Sequence, residues 1–298
     1  MKEIYFNKFF KIANYCSIFL IIISVLLLFF KGLNFGVDFR GGTLIELRVN
    51  DKNINITTIR DYCKEINLDG VTVKQFGNET DYLIKFMSEN NQTTDFISNI
   101  KNALQKKSNN SLDFRRVESV GPKVSSELLK AGMTAVSLSL LAMLVYIWIR
   151  FEWQFSIGAI LALFHDVILT LGIFSLFSLE INLSIVAAVL TIVGYSMNDT
   201  VVIFDRVRDN LKKHASIKIF DLTNLSINET LSRTIITSVT TLLALISIYV
   251  FGGEILKGFS LAMILGVIFG TYSSIYIACP SLVSLRVSQK TIIKDFKD

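Results

Sequence analysis

The chain alternates between long apolar stretches and shorter polar segments, and this alternation predicts its main architecture. Six stretches are apolar for roughly 18 residues, the helix length needed to cross the hydrocarbon of a bilayer. They cover residues 13–30, 131–149, 155–177, 183–204, 235–251 and 259–279. The pattern therefore predicts an α-helical integral membrane protein with six transmembrane helices. The first stretch is read as a retained span, because it is too long for a signal-peptide core.

The polar segment 31–130 has the pattern of a small globular domain. Residues 43–49, 71–76, 82–87 and 112–120 read as strands, while 56–67 and 93–107 have helical spacing. A turn is predicted at Gly77-Asn78 between the second and third strands. The order β-α-β-β-α-β is that of a ferredoxin-like α+β domain, which we expect at 31–130.

The basic residues predict how the chain crosses the membrane. Lysine and arginine are frequent in residues 1–12, in the loop 205–234 and in the tail 280–298, but they are scarce in the short connections 178–182 and 252–258. Short basic segments stay in the cytoplasm. We therefore expect both termini and the loop 205–234 in the cytoplasm of a bacterium, the six spans in its inner membrane, and the 31–130 domain in the periplasm.

Composition supports a membrane protein and excludes other classes. The 298 residues are 51% hydrophobic with two prolines, and the mean hydropathy is +0.51. The net charge of +5 follows from the membrane topology, and no basic stripe with interleaved aromatic residues indicates nucleic-acid binding. Cys63 is the one cysteine in the domain, so the domain has no internal disulfide. We expect no cofactor, no metal and no enzymatic activity.

The fourth span carries a carboxylate, Asp199, within an apolar stretch. An ionised Asp near the centre of a membrane helix costs roughly 2.5–3.5 kcal/mol or more. Helical spacing places Asp199 on one stripe with Ala188, Ile192 and Tyr195. Thr191 and Asn198 lie beside this stripe. Asp199 is either a proton or ion site or a helix–helix hydrogen-bonding residue.

Arg233, before the fifth apolar stretch, is the predicted partner of Asp199. An ion pair would break when the carboxylate is protonated. Arg233 could instead extend its side chain to lipid headgroups. Upstream, Ser226 and Glu229 have the spacing of a capping box, which predicts that the fifth helix begins there.

A second polar pair, His165-Asp166, lies at the centre of the third span. It is either a relay or contact to the fourth span, or a buried structural hydrogen bond. Gly266 and Gly270 form a GxxxG pattern in the sixth span, which favours close helix packing.

The two junctions between the membrane and the domain are rich in glycine. These residues permit tight turns, and Pro122 suits a helix start. The predicted junction residues are Gly36, Asp38, Gly41, Gly42, Gly121 and Pro122.

Five segments together resemble the SecD/SecF family of protein-export membrane proteins, and within it the smaller subunit. They are "GLNFGVDFRGGT", "VESVGPKVSSELL", "HDV", "IVGYSMNDTVVIFDRVRDNL" and "LSRTIITSVTTLLALISIYVFGG", in the family's order and over nearly the whole chain. The resemblance implies the architecture of resistance–nodulation–division transporters. It also implies that Asp199 and Arg233 couple proton movement to work. Val239 departs from the glycine that the family pattern places in the fifth span.

The resemblance also implies partners and a mechanism. The partners would be SecD, the SecYEG translocon, unfolded preprotein, membrane lipid and an optional YajC-like subunit. Protonation of Asp199 would release Arg233, repack the helices and move the outer domain, which would bind and release the emerging polypeptide. Two other classes of protein share features with this pattern. A proton-coupled small-molecule exporter has the same architecture, while an intramembrane aspartyl protease using Asp166 and Asp199 lacks the flanking motifs.

Overall fold

The computed structural model describes residues 4–51, 54–66, 68, 70–75, 78–86, 94–214, 217–289 and 291. The predicted turn residue Gly77 lies outside these ranges. The chain divides into two compact units. One unit comprises Met1–Asn34 with Thr134–Asp298, and the other comprises Phe35–Met133.

The elements follow one another in a simple order. The helices are α1 Phe10–Phe30, α2 Val37–Arg40, α3 Ile56–Glu65, α4 Thr94–Lys107, α5 Pro122–Arg150, α6 Trp153–Leu176, α7 Leu183–Lys213, α8 Ile219–Phe251, α9 Gly253–Ser273 and α10 Cys279–Ser284. A 3₁₀ turn, Phe6–Phe9, precedes α1, and a π-helix, Ser274–Ala278, joins α9 to α10. The strands are β1 Asn34–Phe35, β2 Gly42–Val49, β3 Thr72–Gln75, β4 Asp81–Phe86, β5 Leu112–Val120 and β6 Glu180–Ile181.

Six helical segments in the described residues are long and apolar enough to cross a membrane, as predicted. They are Phe6–Phe30, Pro122–Arg150, Trp153–Leu176, Leu183–Lys213, Ile219–Phe251 and Leu256–Ser284. The chain is thus a multi-pass membrane protein. Of these six spans, α1, α5 and α8 are mostly exposed, whereas α6, α7 and the last span are about half buried. The exposed helices therefore present most of their apolar surface to the surroundings of the chain.

Residues 205–234, predicted as a loop, are largely helical. Helix α7 continues to Lys213, α8 already begins at Ile219, and only 214–218 separates them. The predicted capping box at Ser226 and Glu229 is wrong, because Ser226 lies inside α8 and donates to the Leu222 carbonyl at 2.8 Å. Glu229 instead accepts from Arg206 of α7 at 2.7 Å, and this contact pairs the two helical extensions.

Small residues allow the membrane helices to approach closely. A Cβ built on Gly270 of α9 would lie 2.9 Å from Ser196 Cβ of α7, and one on Gly266 would lie 2.3 Å from the Ile192 side chain. The predicted role of this glycine pair in packing is confirmed. Helix α1 crosses α6 in a similar way, where a Cβ on Gly172 would lie 2.3 Å from Ser24 Oγ.

The second unit contains an antiparallel four-stranded sheet in the order β3-β4-β2-β5. In the registers, Ile45 of β2 lies opposite Ile84 of β4 and Val117 of β5. A bulge falls between Glu46 and Leu47. The succession β2-α3-β3-β4-α4-β5 follows the β-α-β-β-α-β order read from the sequence, because alternation and helical spacing are local properties of each segment.

Helices α3 and α4 contribute to one apolar core beneath this sheet. Ile45, Leu47, Ile59, Ile84 and Leu104 are all fully buried in it. Cys63 is also buried, and burial raises the pKa of its thiol to about 11. The cysteine is therefore a packing residue of the core and reacts poorly as a thiolate.

The predicted junction residues differ in backbone conformation. Gly41 and Gly42 have φ of +78° and +126°, the region that favours glycine. Gly36 has an ordinary φ of −77° and precedes α2, which contains Asp38. Gly121 comes directly before Pro122, the first residue of α5, so among the predicted junction residues only Gly41 and Gly42 have the positive φ of a tight turn.

Candidate functional site

Helix α7 presents three different faces along the stretch that contains Asp199. Ser196 and Thr200 make hydrogen bonds to other helices. Asp199 is about 60° away from Ser196 around the axis, on the same side as Tyr195. Asn198 is exposed and lies about 100° from Asp199 around the axis. A supporting role of Asn198 beside Asp199 stays a prediction.

Asp199 is a buried carboxylate that lacks full hydrogen bonding. Its relative exposure is 3%, and its Oδ2 atom has no hydrogen-bond partner among the described residues. The hydroxyl of Tyr195, one turn earlier, is also buried without a partner there. Unsatisfied buried polar groups are uncommon and mark sites that change state or bind something.

Arg233 lies within range of charge–charge attraction to Asp199. The two side chains do not form a direct ion pair within 4.0 Å. Arg233 is exposed on α8, and the hydroxyl of the following residue, Thr234, is buried without a partner among the described residues. The structure thus places the two predicted residues within electrostatic range but not in contact.

Asp166 of α6 is, by contrast, fully hydrogen-bonded. Its Oδ1 bonds His165 Nδ1 at 2.8 Å. Its Oδ2 accepts from Ser196 Oγ of α7 and, at 2.8 Å, from Ser273 Oγ of α9. Asp166 and Ser273 are completely inaccessible, and Ser196 is 2% exposed. One carboxylate therefore links three helices.

His165 combines a polar bond with aromatic packing. Its ring stacks on Tyr272 of α9 at 5.8 Å between centroids and 23° between planes. The Tyr272 hydroxyl in turn donates to the Ala13 carbonyl of α1 at 3.0 Å. His165 Nε2 is buried without a hydrogen-bond partner in the part of the chain described. The pair predicted as a relay or a structural bond therefore contains a real His–Asp hydrogen bond.

Sequence reasoning missed the serines that complete this network. A second hydroxyl pair, Thr200 and Ser274, joins α7 to the π-helix at 2.8 Å. Ser274 is the first residue of the π-helix Ser274–Ala278, and such segments often occur at functional sites. The run Ser273-Ser274 inside an apolar span was the signal available in the sequence.

A cavity of about 480 Å³ opens between α5 and α7. Its lining includes Asn198 and Gly194 from α7 and Ser139 and Tyr146 from α5. Asn198 thus faces this cavity. Among the described residues, no group of three His, Cys, Asp or Glu side chains could hold a metal ion.

Two family models match the chain. The model described as protein export membrane protein SecD/SecF, C-terminal, matches residues 99–288. The model of the SecD/SecF GG motif matches residues 26–52, which include the Gly41-Gly42 turn.

Curated relatives match along nearly their whole length. The protein translocase subunit SecF of Rickettsia rickettsii is 44% identical over 96% of this chain and 94% of its own. The SecF of Vibrio alginolyticus is 41% identical over 98% and 93%. The crystal structure of SecDF, a translocon-associated membrane protein from Thermus thermophilus, superposes with a TM-score of 0.84 and 33% identity. That alignment covers 95% of this chain and 38% of the SecDF chain.

The six-helix bundle with buried carboxylates is therefore that of a protein-export membrane protein of the SecD/SecF class. Within this class, the chain belongs to the family of SecF protein translocase subunits.

Proposed function

We propose that the chain is a proton-motive-force-driven accessory subunit of Sec protein translocation, which pulls or releases preproteins together with SecD. The observation that carries this proposal is the buried Asp199, whose Oδ2 has no partner among the described residues and which lies within range of charge–charge attraction to Arg233. The relatives support this pathway, since they are protein translocase subunits, and the similar SecDF structure is that of a translocon-associated membrane protein.

The proposed step is a change in the charge of Asp199. When ionised, its carboxylate attracts Arg233 and draws α8 towards α7. A proton removes this attraction, so the two helices repack. One charge crossing the membrane potential supplies about 2.3 kcal/mol per 100 mV, which is enough to change the ratio of two conformations roughly fifty-fold at 100 mV.

We propose that the proton enters from the periplasm and leaves into the cytoplasm. Lys8 and Lys11 near the N-terminus and Arg206, Lys212 and Lys213 on the α7 extension support a cytoplasmic position for these segments in the inner membrane. The Phe35–Met133 unit would then be a ferredoxin-like periplasmic domain. The strand order β3-β4-β2-β5 and its two helices support that fold.

We assign no enzymatic step to the chain, because the proposed work is mechanical. The partners in this proposal are SecD, the SecYEG translocon and an unfolded preprotein, with a YajC-like subunit as an optional component. SecD would supply the remaining membrane helices, which fits the 38% share of the SecDF chain that the alignment covers.

The test replaces Asp199 by Asn, which keeps the shape but cannot ionise. Preprotein transport into inverted membrane vesicles is measured with and without a proton gradient. We expect the variant to assemble normally and to keep ATP-driven transport. It should lose the additional transport that the proton gradient produces, which we call the gradient-dependent gain. Arg233→Lys keeps the charge but loses the planar fork, so it should lose part of that gain.

Asp205→Asn is the matched control. Asp205 lies on the same helix but is partly exposed and bonds Arg150 at 2.7 Å, so its replacement should leave the gradient-dependent gain intact. If Asp199→Asn retains the full gain, Asp199 is a packing residue and the proposed function is wrong.

A further inference from the structure

The Asp166 network lies one turn from Asp199 and holds the same helix. Ser196, which donates to Asp166, precedes Asp199 by three residues, and Thr200, which bonds Ser274 at 2.8 Å, follows it by one. The two hydroxyl contacts thus flank Asp199 along α7. Residues three or four apart share one side of a helix, so these contacts control the rotation of the turn that carries Asp199.

Close backbone packing leaves this contact little freedom. Ser196 lies against Gly270 of α9, where a Cβ would come within 3.1 Å of Ser196 Cα. Asp166 is itself held from the other side, because its Oδ1 bonds His165. The Asp166 carboxylate is therefore a fixed acceptor against which α7 is oriented.

We propose that Asp166 is a positioning residue for Asp199: by accepting the Ser196 hydroxyl, it sets the rotation of α7 and so the direction of the Asp199 carboxylate towards Arg233. The inference rests on the proposed proton-coupling role of Asp199. A side-chain tip lies roughly 5–6 Å from the helix axis, so a rotation of α7 by about 20° would displace the carboxylate by about 2 Å. A displacement of that size decides whether the Arg233 charge is within hydrogen-bonding distance.

The chain offers a matched pair of variants for the test. Ser196 and Ser273 both donate to the same oxygen, Asp166 Oδ2, and both are buried. Ser196→Ala and Ser273→Ala therefore remove equal chemistry from one acceptor. They differ in the helix that is released, which is α7 with Asp199 in the first variant and α9 in the second.

The measurement is the reactivity of Asp199 with a hydrophobic carbodiimide, which modifies protonated carboxyl groups in apolar surroundings. The full-length chain is purified with its partner subunits, and labelling of the Asp199 peptide is followed by mass spectrometry as a function of pH. We expect Ser196→Ala to move the pH midpoint of labelling by at least half a pH unit. Ser273→Ala should move it by less than half of that shift, because α7 stays bonded to Asp166.

Thermal unfolding of both variants tests for a purely structural role. If the two serines only stabilise the fold, variants that lose equal stability should show equal shifts of the labelling midpoint. If Ser196→Ala does not assemble, Ser196→Cys replaces it, since the thiol is a weaker donor of similar size and should produce a smaller shift in the same direction. An unchanged labelling midpoint in Ser196→Ala, or equal shifts in both serine variants, would overturn the positioning role of Asp166. Labelling does not depend on transport, so the two claims fail in different experiments. The proposed function fails if Asp199→Asn retains gradient-dependent transport.

Discussion

The crossing of α7 and α9 at Gly270 makes a quantitative prediction. In Gly270→Ala, the new methyl group would lie 2.9 Å from Ser196 Cβ and 3.1 Å from Ser196 Cα. Carbon atoms in van der Waals contact are about 3.5–4.0 Å apart. One of the two close atoms is backbone, so a side-chain rotation cannot relieve the clash, and the helices must separate by about 0.5–1 Å.

The expected cost follows from two opposing effects. Overpacking of a tight contact costs about 1–3 kcal/mol, and alanine recovers up to about 1 kcal/mol over glycine as a helix former. Separation of the helices also stretches the bonds of Ser196 and Ser273 to Asp166. We expect a net loss of about 1–2 kcal/mol, which lowers the unfolding temperature by about 2–6 °C for a chain of this size.

The assay is thermal unfolding of the purified chain in detergent, followed with a dye that reacts with thiols as the buried Cys279 becomes exposed. Gly194→Ala on α7 is the control, because no heavy atom lies within 4 Å of its new Cβ. It should unfold at the wild-type temperature or slightly above. Equal or higher stability of Gly270→Ala would refute the close crossing of the two helices.

Three further predictions concern other parts of the chain. In cells whose outer membrane is permeable, an impermeant thiol reagent should label Lys64→Cys, whose side chain is 78% exposed, and leave the buried neighbour Cys63 unlabelled; labelling only after the inner membrane is breached would contradict a periplasmic domain. Asn90, which the sequence places in a polar loop and which would serve as a second labelling site, lies outside the described residues. Arg48 bonds both oxygens of Asp81 and lowers the pKa of that carboxyl. The amides of β4 should therefore be fully protected from hydrogen exchange above the ordinary carboxyl pKa near 4. This protection should fall as the pH drops through the lowered pKa of Asp81. Hydrogen exchange of the whole chain should show a smaller acid dependence in Asp81→Asn, and an unchanged dependence would exclude this pair as its source. Asn182 caps α7 by accepting from Ile185 N at 3.1 Å, so Asn182→Ala should lower the free energy of unfolding by about 1 kcal/mol, and a wild-type unfolding midpoint would count against the cap.

The sequence alone predicted the features that depend on local composition. Six spans follow from the lengths of the apolar stretches, since burial of apolar surface is proportional to area and has no direction. The strands and helices of the Phe35–Met133 unit follow from periodicity. The GxxxG pattern at Gly266 and Gly270 identified a packing face, but it did not identify Ser196 as the residue packed against it.

Only the tertiary structure decided which polar groups meet. The capping box at Ser226 failed because contacts with α7, such as Glu229 to Arg206, extend α8 by two turns beyond it. The bonds of Asp166 to Ser196 and Ser273 could not be read from spacing, because the three residues lie on separate helices. Hydrogen bonds are directional and weaken steeply when misaligned, so they depend on the rotation and depth of each helix, which the packing of the whole bundle determines.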